Sequence, residues 1–313
     1  MGVAPEGNID EAILIVGSGA LGTLFAARLS AAGYTVHMLA GWENGLRALK
    51  ANGARVVSPE GIEHAFPVRV TSDPAECTGV RQALVLVKAW QTERAAGQLS
   101  QCLAVDGVAL TLQNGFGNRE KLIRRLGQRR VAVGVTTTGA TLLGPGLVRE
   151  AGAGTISLSA QAKLAPLRSA LTRAGCNVRN VEDTESLIWG KLIVNAAINP
   201  LTALLRIPNG ELLTRPGART LMGVLAKEAA AVASARGIQL PFKDAARAAE
   251  DVARRTADNH SSMYQDVRRG AQTEIDAICG AITRLGQKYG IATPYNRACW
   301  YLVRASIPAT RST

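Results

Sequence analysis

One short stretch limits the fold more than any other. Ala12-Ile-Leu-Ile-Val16 runs without a break into Gly17-Ser-Gly-Ala-Leu-Gly22, and helix-forming residues follow to Ala32. Five apolar residues in a row, without alternation, suit a strand covered on both faces of a parallel sheet. Gly17 permits the tight turn, Gly19 lets the backbone approach a pyrophosphate, and Gly22 lets the helix pack against the strand. The helix N-terminus then offers its amide groups and positive dipole end to the anion. A glycine pattern alone is weak, but this one follows a strand, opens a helix and begins a βαβ unit. That context points to a dinucleotide site made by Gly17, Ser18, Gly19, Ala20, Leu21 and Gly22.

Further apolar runs recur at Thr35–Leu39, Ala83–Val87, Val108–Leu112 and Val131–Val135, with helix-length stretches such as Leu21–Ala32 and Arg119–Leu126 among them. This is the rhythm of a doubly wound, Rossmann-like α/β sheet. Gly146–Glu150 and Thr155–Ser159 are expected to add mixed strands at an edge. Near Asp183 the texture changes: from Thr184 to about Arg304 the chain is Ala-rich, with apolar residues at helical spacing. Pro200, Pro208, Pro216, Pro241 and Pro294 divide it into six or seven expected helices. The expected architecture is a dinucleotide-binding domain over 11–183 and an all-helical domain over 184–313. The tail Met1 to Asp10 is expected to be disordered.

Of the 313 residues, 47% are hydrophobic and 19% charged, which supports a sizeable core and excludes a disordered chain. The net charge of +12 invites a nucleic-acid reading. However, the cations stand as isolated pairs such as Arg124-Arg125 and Arg254-Arg255, with few aromatics between them, so no nucleic-acid partner is expected. The five cysteines show no CxxC pair and no nearby His at ligand spacing, so neither a metal nor a disulfide is expected. Met1–Asp10 lacks the pattern of a signal peptide, and the longest apolar stretches are interrupted early by Lys, Asn, Arg or Gly. A cytoplasmic protein without a membrane partner is the expectation.

An acidic residue at the end of the second strand would bind a ribose 2′-hydroxyl and favour NAD. Here Leu39 leads into Ala40-Gly-Trp42, with no carboxylate before Glu43, while Arg47 and Lys50 follow. NADPH is therefore favoured over NAD. Lys88 and Asn114 each stand just past a strand end, on the side where open α/β sheets bind ligands. Singly they match a solvated loop cation and an ordinary Asn-Gly turn. In the helical half, Lys191, Asn195 and Asn199 follow at four-residue spacing and span about 80° of a helix otherwise rich in apolar residues. Buried Lys and Asn are costly unless paired, so the stripe suits a ligand site as well as it suits a core of satisfied amides. Asn259, Ser262 and Asp266 recur at similar spacing, which a solvated face would also give.

Together these segments resemble the ketopantoate reductase family, from about Ile13 to Pro294. The resemblance is carried by the glycine loop and by Lys88-Ala-Trp-Gln91, Asn114-Gly-Phe-Gly117 and Thr136-Thr-Thr138. In the second half it is carried by Trp189-Gly-Lys-Leu-Ile-Val-Asn195, Ile198-Asn-Pro-Leu-Thr202, Pro208-Asn-Gly-Glu-Leu212, Asn259-His-Ser-Ser-Met263 and Thr273-Glu-Ile-Asp276. The resemblance implies a helical domain like the C-terminal domain of 6-phosphogluconate dehydrogenase. It also implies NADPH-dependent reduction of 2-dehydropantoate, a small 2-oxo acid, to (R)-pantoate on the route to pantothenate and coenzyme A.

By that resemblance Lys191 is the general acid and Glu274 lies beside it. Asn195, Asn199, Asn209, Asn259 and Ser262 hold the substrate; Lys88, Asn114, Thr141 and Glu274 contact the cofactor. Two departures stand out. The family often has an Arg near the end of the second strand, where this chain has Gly41, and Thr141 replaces a cofactor-lining Ala. Other readings are a reductase of another 2-oxo or 3-hydroxy acid, or a silent NADP(H) sensor. A sensor needs neither Lys191 nor Glu274. A homodimer is left open.

Overall fold

The run after Ala12 forms β1 (Ile13–Val16), buried throughout, and the helix opened by the glycines is α1 (Ala20–Ala31). In this computed structural model residues 12–152 and 154–307 are described. The tail Met1 to Asp10 lies outside them. There are two compact units. One holds the chain up to Gln113 together with Asn118–Thr184; the other holds Asn114–Gly117 and the chain from Glu185 onward.

The first unit continues with β2 (Val36–Leu39), α2 (Glu43–Asn52), β3 (Ala54–Val57), β4 (Glu63–Phe66), β5 (Arg69–Thr71) and β6 (Val80–Val85). Next come α3 (Thr92–Cys102), β7 (Leu103–Thr111), α4 (Asn118–Leu126) and β8 (Val131–Thr136). It ends with β9 (Ala140–Gly144), β10 (Leu147–Glu150), β11 (Thr155–Ser159), α5 (Ala165–Arg173) and β12 (Asn177–Val181). Eight strands form one sheet in the order β12-β11-β8-β7-β6-β1-β2-β5. The six from β5 to β8 are parallel to their neighbours. Numbered by chain position within this sheet they run 3-2-1-4-5-6, the doubly wound order of dinucleotide-binding folds. Ile13 and Ile15 enter the core on one face, Leu14 and Val16 that on the other, which explains the unbroken apolar run.

The mixed edge expected from Thr155–Ser159 is present: β11 pairs antiparallel with β8 and parallel with β12. The run at Gly146–Glu150 goes elsewhere. Its β10 lies in a second sheet of order β4-β3-β10-β9, which the sequence pattern does not announce. These strands have at most five residues and β4 is largely exposed, so apolar alternation carries little signal. The physical reason for the second sheet lies in α1. Thr23, Leu24, Phe25, Ala26, Ala27 and Leu29 are all buried, and a helix that is apolar around its circumference needs cover on more than one side. The second sheet packs against α1, and Arg28 Nη2 donates to Glu150 Oε2 on β10 at 2.5 Å.

The second unit consists of α6 (Thr184–Leu205), α7 (Glu211–Thr214), α8 (Pro216–Ala235), α9 (Ala245–Arg255), α10 (Ser262–Arg268), α11 (Cys279–Tyr289) and α12 (Pro294–Ala305). They surround Trp189, Leu192, Met222, Leu225, Ile282 and Val303. The Pro200 break expected from sequence does not occur, because α6 runs through it. Proline removes the donor to the carbonyl four residues back. That carbonyl, on Ala196, lies 4.0 Å from the Cys279 thiol, a weak donor. α6 is the one helix among the described residues long and apolar enough to cross a membrane, and 67% of its apolar window is buried inside the protein. After Thr273 the chain makes a 3₁₀ turn at Ile275–Ala277, with α11 following from Cys279. All five cysteines are free and buried. Burial pushes Cys77 up to about 12 and Cys102 and Cys299 up to about 11, which makes them poor nucleophiles.

Candidate active site

Each glycine of the loop after β1 meets a different constraint. Gly17 has φ +120°, and a Cβ there would lie 3.0 Å from the Val87 backbone nitrogen. A Cβ on Gly22 would stand 2.2 Å from the Gly17 carbonyl oxygen, inside the packing of helix on strand. Around Gly19, in contrast, nothing lies within 4 Å of the Cβ position. The space is open where the first turn of α1 directs its amides. Gly19 caps α1 without a side-chain hydrogen bond, and the first turn carries no acidic residue that would repel an anion. Ser18 is buried, and Ala20 and Leu21 are half-buried at the helix start. The residues present fit a dinucleotide pyrophosphate.

Lys88 follows β6 and caps a 3₁₀ turn over Ala89–Gln91, its backbone nitrogen donating to Gln91 Oε1 at 3.3 Å. Gln113 Nε2 donates to the Val87 carbonyl at 2.8 Å and to Thr92 Oγ1 at 2.9 Å, and the Thr92 hydroxyl donates to Asn118 Oδ1 at 2.9 Å. This chain of bonds holds the backbone that presents Lys88. Of these positioning residues, Thr92 and Asn118 carry no sequence signal; Gln113 stands next to Asn114. Thr141 lies on β9, opposite Arg149 of β10, and so belongs to the second sheet.

Asn114 groups with the helical unit, although it follows a strand of the other. Gly115, at φ +84°, leaves only 2.8 Å between its Cβ position and the Ala277 carbonyl oxygen, and Phe116 N donates to that oxygen at 2.8 Å. The Phe116 ring stands 5.5 Å from Trp189 on α6, and the Arg236 guanidinium lies 4.9 Å over it. Asn114 is thus fixed to the element that carries Lys191.

On α6, Lys191 and Asn195 are half-buried and Asn199 is buried. Desolvation pulls the Lys191 ammonium down to about 8, and the Glu274 carboxylate opposes that shift. Glu274 is itself buried, at the start of the Ile275–Ala277 turn, where its carbonyl accepts from Ala277 N at 3.0 Å. A lysine near neutrality beside a carboxylate is a proton donor matched to ordinary pH. The other polar residues converge through backbone contacts. Asn209 N donates to the Asn259 carbonyl at 3.0 Å, and Asn209 Nδ2 donates to Thr256 Oγ1 at 2.9 Å. Asn209 Oδ1 is buried without a hydrogen-bond partner, an acceptor that the fold leaves unused. Ser261, to which the sequence assigns no role of its own, is bonded to Thr202 of α6 at 2.7 Å and caps α10 through Tyr264 N, which leaves Ser262 exposed on its first turn.

Comparison with known proteins places the chain in a family. The family description "Ketopantoate reductase PanE/ApbA" matches residues 13–163, and its C-terminal counterpart matches residues 183–306. The 2-dehydropantoate 2-reductase of Archaeoglobus fulgidus is 39% identical, over 94% of this chain and 97% of the relative. That of Halobacterium salinarum is 33% identical, over 93% and 97%. Among solved structures, a PanE/ApbA family ketopantoate reductase from Ralstonia eutropha superposes with TM-score 0.87 at 33% identity, covering 94% of this chain and 98% of that one. A D-mandelate dehydrogenase with NADH and anilino(oxo)acetate superposes with TM-score 0.86 at 29% identity, with the same coverage.

Proposed function

The chain belongs to the ketopantoate reductase family of oxidoreductases, and on that premise we propose that it reduces the ketone of 2-dehydropantoate to (R)-pantoate with NADPH. The observation that carries the reading is Lys191, a lysine drawn down to about 8 beside Glu274, in a helix rich in buried apolar residues. When bound, the reduced nicotinamide supplies the hydride. Lys191 hydrogen-bonds the ketone oxygen and delivers the proton, so that the alkoxide charge is neutralised as it develops. Glu274 keeps the ammonium protonated against desolvation. Asn195, Asn199, Asn209, Asn259 and Ser262 receive the carboxylate and hydroxyls, with the unused Asn209 Oδ1 accepting from a substrate hydroxyl. Ser18, the loop glycines, Lys88, Asn114 and Thr141 bind the cofactor.

The assay is loss of reduced-nicotinamide absorbance with purified enzyme. Turnover of 2-dehydropantoate at least tenfold faster than that of straight-chain or aryl 2-oxo acids supports the reading. The NADH-bound D-mandelate dehydrogenase neighbour favours a second one, an NADH-linked reductase of an aryl 2-oxo acid. The same panel decides it: faster turnover of the aryl acid with NADH replaces the first reading.

A further inference from the structure

At the adenosine end of the cofactor site, the end of β2 is where NAD and NADP are told apart. A carboxylate there binds the 2′-hydroxyl and repels a 2′-phosphate, whereas a nearby Arg accepts the phosphate. In this chain β2 ends in Leu39 and leads to Ala40 and Gly41, and no carboxylate stands before Glu43. Gly41 does not have a positive φ, so its backbone does not require glycine. Space does. A Cβ at Gly41 would fall 2.6 Å from both Arg94 Nη1 and Nη2 and 2.8 Å from Arg94 Cζ. The two terminal nitrogens are nearest, so the Nη1–Nη2 end of the Arg94 guanidinium, carried by α3, occupies the side of Gly41 where a side chain would project.

The place is close to the glycine loop. The Cβ position of Gly45, in the first turn of α2, lies 3.1 Å from Ser18 Oγ, so the segment after β2 touches the turn that receives the pyrophosphate. The Arg94 guanidinium has no hydrogen-bond or ion-pair partner among the described residues, and its neighbour Glu93 is paired with Arg124. Arg94 is also exposed, which leaves a fork of five donors to meet an anion. The rival cation, Arg47 on α2, is engaged with Asn44 Oδ1 at 2.7 Å.

We propose that Arg94, reaching from α3 into the volume left by Gly41, is the residue that recognises the 2′-phosphate of NADPH. A planar bidentate donor suits a phosphate monoester. The proposal deepens the NADPH reading and rests on it. It also couples Gly41 to Arg94, because a strand-end side chain would displace the guanidinium from this place.

The test uses ligands that differ by the 2′-phosphate alone: adenosine 2′,5′-bisphosphate and adenosine 5′-monophosphate, titrated calorimetrically into the full-length enzyme. The wild type is expected to prefer the bisphosphate by about tenfold to a hundredfold, the usual range for hydrogen bonds to a charged group. Arg94→Ala is expected to remove at least about tenfold of that ratio through weaker bisphosphate binding. Gly41→Arg combined with Arg94→Ala is expected to restore a preference. A wild type without preference overturns the NADPH reading and the proposal with it. A wild-type preference that survives Arg94→Ala, or that is lost in Arg47→Ala instead, leaves the NADPH reading standing and overturns the role of Arg94. Far-ultraviolet dichroism of each variant separates lost recognition from lost folding.

Discussion

The two units make their chemistry in different ways. In the first, six consecutive residues, Gly17 to Gly22, offer the proposed cofactor surface from backbone amides and from the side chains that they lack. In the second, Lys191 meets Glu274 across some eighty residues of chain, and Asn209 meets Asn259 through bonds between two loops. A site of backbone atoms is local; its determinants are the absences of Cβ atoms. A site of side chains exists only after the helices have packed. Damage to the first should therefore register mainly as lost cofactor affinity, and damage to the second mainly as lost turnover.

The largest expected effect tests that division directly. Lys191→Ala should lower kcat by about a hundredfold to ten-thousandfold, the range for a general acid, and change the NADPH Kd less than about threefold. Near-normal kcat would remove Lys191 from its role. Next, Gly22→Ala places a Cβ 2.2 Å from the Gly17 carbonyl. It should weaken NADPH binding more than tenfold and cost about 1–3 kcal/mol of stability by overpacking. A kcat at saturating cofactor within about threefold of wild type would confirm that the damage stays in the first unit.

The pH profile sharpens the comparison further. In the proposed mechanism Lys191 acts in its protonated form, so kcat for reduction should fall as pH rises through about 8. The Glu274 charge raises the Lys191 value, and Glu274→Gln should accordingly move that alkaline limb to lower pH. An unmoved limb would detach Glu274 from Lys191. The smallest effect is structural. Thr202→Val breaks the bond to Ser261 that ties α6 to the start of α10, and should cost about 1–3 kcal/mol. It should lower Tm and leave the NADPH affinity unchanged.

Much of the first unit was legible because its strands are covered on both faces and therefore read as unbroken apolar runs. The second sheet was not legible. Its strands are short, and β4 spends most of its length in solvent, so neither length nor alternation marks it. The one hint was α1, too apolar around its circumference to be covered by a single sheet. Pro200 misled in the other direction: intrinsic propensity predicts a break, but α6 is buried from Ala196 to Ala203 and tertiary packing holds it through the missing hydrogen bond. Thr92 and Asn118 carried no signal, and Ser261 none for its positioning role, since a Thr, Asn or Ser acquires such a role only from what stands opposite it.

Sequence by itself determined the order of the units, the glycine turn and the Lys-Asn-Asn stripe, because each depends on spacing within one element. Tertiary structure alone decided what surrounds them. It drew Lys191 toward neutrality by burial beside Glu274, joined Asn209 to Asn259, and laid the Arg94 guanidinium on Gly41. Periodicity is a property of the chain, whereas desolvation and proximity belong to the packed molecule.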